Sequence, residues 1–290
     1  MMENFNKIVI LVATHKPDKV YQDDIYTPIH VGRAVSKYKE EMAEIIGDDT
    51  GDNISEKNPF YCELTACYWA WKNLKNIEYV GLCHYRRYFE ERITVKNIDH
   101  LLNSNYDIIL PSAIHLPATL FYKFKGLTDE DRVIFFKVME EFYPEYYETA
   151  VDYIMNGNKD YAFNMFFCSW KIFSQMMEFV FGFLSCTEKY VKLQPYTNGR
   201  RIFGYFSEYL IPIFCLKHRL RIKEVPIISM LQSEKPNYLV RKKNVLKRII
   251  NSFRAFIFSP LKYKKFPIAE TMLRSLICDG ILDHDGRLIK

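Results

Sequence analysis

Two adjacent arginines follow an apolar run in the stretch GLCHYRRYF, Gly81 to Phe89, interleaved with His84, Tyr85 and Tyr88. Neighbouring guanidinium forks suit a diphosphate, because each offers planar donors to two phosphate oxygens and keeps its charge at any working pH. Arg86 and Arg87, with His84 beside them, are therefore candidates for catalysis on a phosphorylated substrate; two surface ion pairs are the plainer reading. A second polar group ends another apolar run. In KIVILVATHKP, Thr14, His15 and Lys16 leave a strand at the edge where α/β sheets bind nucleotides.

The stretch GDDTGDNISEKNPFYCELTACYWAWKN sets Asp48, Asp49, Asp52 and Asn53 in a short loop ahead of an aromatic run. It fails as a calcium hand: counted from Asp48, Asn53 stands where glycine is needed and Pro59 where glutamate is needed. Gly47, Gly51 and Asn53 give the loop left-handed freedom, and it feeds a helix N-terminus that favours anions. Carboxylates beside an anion site suit ribose or sugar hydroxyls, or a metal that bridges phosphates; a solvated turn is the alternative. Further along, Asn164 interrupts the apolar YAFNMFF, where a buried amide must be hydrogen-bonded. Glu208 lies on an apolar helical stretch, RRIFGYFSEYL, where a raised pKa would suit a general base, with an ordinary structural role as the alternative.

The elements that must position these residues alternate. Ile8–Ala13, Tyr79–Cys83, Asp107–Leu110, Tyr161–Phe167 and Arg221–Ile228 read as strands. Helices are expected from the Thr27-Pro28 pair to Ser36, from the Asn58-Pro59 pair to Asn73, and over 129–141, 145–156, 169–184 and 200–218. Such alternation implies an α/β fold built on a central sheet. The segment Tyr161–Leu184 is apolar enough to suggest a membrane span, but Asn164, Lys171, Gln175 and Glu178 argue for a buried strand and helix.

Hydrophobic residues make up 49% of the 290 and aromatics 16%, which is ample for a large core. Seven scattered cysteines without a CxxC pair fit reduced thiols, and the apolar N-terminal run is too short for a signal sequence, so a cytoplasmic location is expected. Residues 241–266 hold nine basic side chains and no acidic one, so the net charge of +5 is local. Val245, Leu246, Ile249, Ile250, Phe253, Phe256 and Ile257 share one helical arc there, a pattern for a helix lying on an anionic membrane or docked on its own domain. Nothing resembles a nucleic-acid reading element, and no nucleic-acid partner is expected.

Together ATHKP, YTPIHVG, the acidic loop with its aromatic run, and GLCHYRRYF resemble the capsular and exopolysaccharide biosynthesis glycosyltransferases, a family known as a domain of unknown function, over Lys7 to Met230. The resemblance implies a single Rossmann-like type A glycosyltransferase domain with a mixed central sheet, expected over residues 1–235, and the charge pattern sets a basic amphipathic segment over 236–290 apart from it. It implies transfer of a sugar, with galactofuranose as one candidate, from a nucleotide-sugar, a UDP-sugar by expectation, to a growing lipid-linked saccharide of a bacterial surface glycan, and the basic segment is expected to hold the enzyme on the inner face of the cytoplasmic membrane. Thr14, His15, Lys16, Asp48, Asp49, Asp52, Asn53 and Glu63 then fall to the donor, and Asn164 and Tyr205 to the acceptor. Arg86, Arg87, His84 and Glu208 fall to catalysis, with Glu208 as the base. Type A enzymes commonly carry an Asp-x-Asp motif for Mn or Mg after the central strand. Here His84, Tyr85 and Arg86 stand in that place, which leaves the metal open and gives the diphosphate to the arginines. A non-catalytic saccharide-binding or membrane-scaffolding protein is the alternative; a metal-dependent phosphotransferase on the Asp48 loop is a third.

Overall fold

The computed structural model describes residues 7–102, 105–230, 249–250, 253 and 262–289. Two compact units emerge, each made of separate chain segments. The first comprises Met1–Ala113, Tyr161–Glu178 and Arg219–Asn244; the second comprises Ile114–Asp160, Phe179–His218 and Val245–Lys290.

The first unit carries a mixed sheet. Its strands are β1 (Ile8–Thr14), β2 (Tyr26–His30), β3 (Ile46–Gly47), β4 (Tyr79–His84), β5 (Arg87–Phe89), β6 (Ile108–Pro111), β9 (Phe166–Ser169), β10 (Ile222–Val225) and β11 (Ile227–Ser229). The main order is β10-β6-β9-β4-β1-β2-β3, with β5 and β11 paired off this path. β1, β2, β3 and β4 run parallel, β9 runs antiparallel between β4 and β6, and β10 is parallel to β6. β1 and β4 are nearly continuous apolar runs, as strands covered on both faces must be, and Ile10, Val12, Cys83, Ile109 and Phe167 share one buried cluster. The α/β fold with a mixed sheet read from the sequence is the one found.

Helices of this unit are α1 (Asn58–Tyr61), α2 (Leu64–Asn73), α3 (Ile98–Leu101) and the start of α6 (Trp170–Thr187). The second unit holds a small β7–β8 ladder (Ile114–His115 with Lys159–Asp160). Around it come α4 (Asp129–Phe142), α5 (Pro144–Val151) with a π-turn to Asn156, the end of α6, α7 (Thr197–Arg200), α8 (Ile202–Lys217) and α9 (Glu270–Cys278). Thr128 and Asp131 close a capping box at the start of α4. Phe135 packs against Phe183 and Phe206 in the helical core. No helix among the described residues is long and apolar enough to cross a membrane.

Four expected elements differ. Thr27 and Pro28 lie in a strand, not at a helix start. Ile25 and Val31 make the bonds to β1, so the odd positions of β2 face that neighbour, and the N–H that Pro28 lacks falls on the other side, where β3 meets only Ile29 and His30. The helix expected from Asn58 to Asn73 breaks at Cys62 (φ 55, ψ −135). Asn58 is not its cap; the Asn58 amide donates to Cys62 O (2.7 Å) and to Thr65 Oγ1 (3.2 Å) and holds the break in place. In YAFNMFF the strand begins only at Phe166, because Phe163 and Asn164 turn through left-handed backbone (φ 79 and 54). Finally Pro226 splits the last strand, so β10 joins β6 and β11 joins β5.

Candidate functional site

Register decides what gathers at the sheet edge. Thr14 lies opposite His30 and Ala13 opposite His84, so β1, β2 and β4 end together. β9 runs the other way and pairs Phe166 with Leu82, so the turn before it, Tyr161 to Met165, reaches the same edge. Open α/β sheets bind ligands at this carboxyl end. In the first unit the sheet therefore gathers Thr14, His15, His84, Arg86, Arg87 and Asn164 from stretches far apart in sequence.

One cluster surrounds Glu63, the residue at the N-cap position of α2. Its Oε1 accepts a 2.8 Å bond from Asn164 Nδ2 and lies 3.9 Å from His84 Nε2. His84 Nε2 sits 2.6 Å from Phe163 O, and since a carbonyl can only accept, this nitrogen carries the proton. Arg87, opposite His84 in the β4–β5 pair, stacks its guanidinium 4.5 Å over the Phe163 ring. Arg87 forms no ion pair among the described residues. A turn that the sequence reads as strand thus joins a carboxylate, an imidazole and a guanidinium.

Arg86 has a partner. Its Nε and Nη2 donate to Asp18 Oδ2 at 3.0 and 2.7 Å, and the side chains are 30% and 21% exposed, so the pair is open to solvent. The Arg86 hydrogen bond holds the Asp18 carboxyl below its usual range. Asp18 belongs to the loop after β1, so Arg86 points to the same end of the sheet as His15, whose ring meets Tyr85 edge-on at 5.3 Å. Thr14 is buried and donates to Val12 O (3.0 Å), while His15 is exposed and Lys16 half-buried. Sequence reasoning passed over Asp18, although it follows ATHKP directly.

The acidic loop is largely organised by its own backbone. Asp48 is fully buried; its carboxylate accepts from Gly32 N–H (2.7 Å), Arg33 N–H (3.1 Å) and the Ser55 hydroxyl. Its expected contact with donor hydroxyls gives way to a loop-fixing position. Asp49 pairs with Arg33 at 2.6 Å, and a Cβ on Gly47 would displace the Arg33 side chain from this position. Asp52 is exposed: its N–H donates to Asn73 Oδ1 (3.1 Å), and its carboxylate accepts from Tyr68 OH (3.2 Å). Asn53 closes the turn by bonding Gly51 O (2.9 Å) and accepting from Ser55 N–H. His30 is wholly buried beside this loop with neither ring nitrogen hydrogen-bonded, and burial pushes its pKa below the usual value. The sequence hid His30 because its segment reads as helix.

Glu208 and Tyr205 lie on α8, in the second unit. Lys123 Nζ donates to Glu208 and to Asp160, each at 2.7 Å, so a largely buried three-charge cluster replaces the apolar setting expected for Glu208. Burial raises the Asp160 pKa against the opposing pull of Lys123. Tyr205 stacks on Phe124, centroids 4.7 Å apart. No group of three or more His, Cys, Asp or Glu side chains arranged for a metal occurs among the described residues. The basic segment expected over 241–266 lies outside the described residues, apart from Ile249, Ile250, Phe253 and 262–266; those three apolar side chains are exposed.

Comparison with known proteins bears on the residues before that segment. The family model described as a domain of unknown function, DUF4422, matches residues 9–219. A solved apo structure of the bifunctional glycosyltransferase WbbM is similar with a TM-score of 0.68 and 28% identity over 80% of this chain. The chain spans 46% of the length of that protein. No curated protein matches the sequence.

Proposed function

The chain belongs to the DUF4422 family, and from that membership we propose that it transfers a glycosyl group from a nucleotide-diphosphate sugar to a saccharide acceptor. The observation that carries the reading is Arg87: a cation stacked on Phe163, with no carboxylate partner among the described residues, at the sheet edge where nucleotides bind. The likeness to a glycosyltransferase structure supports the reaction class. In such a reaction charge develops on the leaving diphosphate, and a cation already in place lowers the barrier without reorganising. Arg87 fills that role, and Arg86 joins it when the phosphate competes with Asp18. Thr14, His15 and Lys16 line the nucleotide. Asp49, Asp52 and Asn53 lie along the loop nearest the sugar, and Asn164 stands on the acceptor side.

The stretch after β4 supplies two guanidinium groups, which cannot ligate a cation, and the His84 ring, whose Nε2 is taken up by the Phe163 carbonyl so that Nδ1 alone could ligate. One imidazole nitrogen beside two fixed cations is a poor seat for a divalent ion, so the transfer is proposed to run without one. A UDP-sugar donor, galactofuranose among the candidates, and a lipid-linked acceptor for a surface polysaccharide follow from the family resemblance. The exposed Ile249, Ile250 and Phe253 within a basic stretch support attachment to an anionic membrane surface. The self-satisfied Arg86–Asp18 pair favours the second reading, a saccharide-binding module without turnover. Incubating the purified chain with a panel of UDP-sugars separates the two. Release of UDP identifies the transferase and its sugar together, whereas sugar binding without release identifies the module.

A further inference from the structure

Five non-glycine residues among those described have positive φ, and three of them lie by one carboxylate: Cys62, next to Glu63 in sequence, Asn164, whose amide bonds it, and Phe163, next to Asn164. Side chains disfavour this backbone, and it persists only where its surroundings over-determine it. Here they do. Cys62 N–H donates to Asn58 O (2.8 Å), while Cys62 O accepts from the Asn58 amide and from the Thr65 N–H and hydroxyl. The break between α1 and α2 turns Glu63 out of the helical path, and the turn at Phe163–Asn164 brings an amide to meet it. One oxygen of Glu63 takes that amide; the other is hydrogen-bonded to nothing among the described residues. At the same turn, Arg87 stacks over the ring of Phe163. A carboxylate with one oxygen to spare and an unpaired cation thus share a support that two strained segments hold in place.

The geometry points to Glu63 as the catalytic base of the transfer, with Asn164 as its positioning residue, an assignment that rests on the glycosyltransferase reading. The spare oxygen of Glu63 takes the proton of the acceptor hydroxyl as that hydroxyl's oxygen bonds the anomeric carbon. The electron pair of the breaking carbon–oxygen bond leaves with the nucleoside diphosphate, whose charge faces Arg87. Glu63 then returns its proton to solvent. Attack opposite the leaving group inverts the anomeric centre. Glu208, whose carboxylate is engaged by Lys123, is not needed for this step.

The test compares wild type with Glu63→Gln in UDP release from a UDP-sugar panel, in UDP binding by calorimetry and in the pH profile of kcat. Glu63→Gln is expected to lower kcat on the order of 100-fold or more, to bind UDP as tightly as wild type, and to lose the acidic limb of the profile. Asn164→Ala should shift that limb while leaving the KM for donor unchanged. Turnover within a few-fold of wild type with the limb intact overturns the assignment, and so does a loss confined to UDP binding, which would make Glu63 a donor ligand. If Glu63→Gln does not fold, Glu63→Asp decides: the account expects a lowered kcat with the limb retained, and an unchanged kcat contradicts it. A wild type that releases UDP from no sugar nucleotide instead sinks the transferase reading and the base with it.

Discussion

Arg86 and Arg87 are neighbours in sequence, yet one is ion-paired to Asp18 and the other stacked on Phe163. The difference sets their expected effects. Arg87→Ala should lower kcat/KM for UDP release about 100-fold, the scale of a lost transition-state contact, with the fold unchanged. Asp18→Asn removes a competitor for Arg86 and should tighten UDP binding about two- to fivefold, the worth of an exposed ion pair, as calorimetry would register. That both arginines follow the end of β4 was legible, because the apolar run before them reads as a strand. Their unequal settings were not, since Asp18 and Phe163 reach them from 68 and 76 residues away in sequence.

At the scale of elements, loops and breaks matter more than strands. Asp48 holds Gly32, Arg33 and Ser55 together from a buried position, so Asp48→Ala leaves three donors without an acceptor. A loss of about 3 kcal/mol is expected, read as a lowered melting temperature. Cys62→Gly should act in the opposite direction: glycine accepts φ 55 without penalty, and a gain of about 1 kcal/mol follows unless packing of the thiol offsets it. The long apolar strands were plain in the sequence because alternation and β-branching are local properties. The broken helix at Cys62 and the turn at Asn164 were not, because side-chain bonds to distant backbone override helical and strand propensity there. The setting of Glu208 was misread for a related reason: its apolar neighbours in sequence conceal Lys123, which meets it in space.

Across the whole molecule, buried ionisable groups tie stability to pH. Burial depresses the folded pKa of His30 below its unfolded value of about 6.5, with Arg33 and Lys39 adding to the depression and Asp48 and Asp49 opposing it. The folded state therefore binds fewer protons than the unfolded one below that value. Stability is full above about pH 6.5 and declines as the pH falls. The melting temperature should drop between pH 7 and 5, and His30→Leu, which leaves no ring nitrogen to charge, should flatten that drop relative to wild type. The central claim concerns the diphosphate and is tested most directly by UDP release from a UDP-sugar panel in excess EDTA, wild type beside Arg87→Ala. The account predicts turnover by wild type that EDTA does not diminish and that the variant loses by about 100-fold. Turnover abolished by EDTA, or kept intact in the variant, would contradict it.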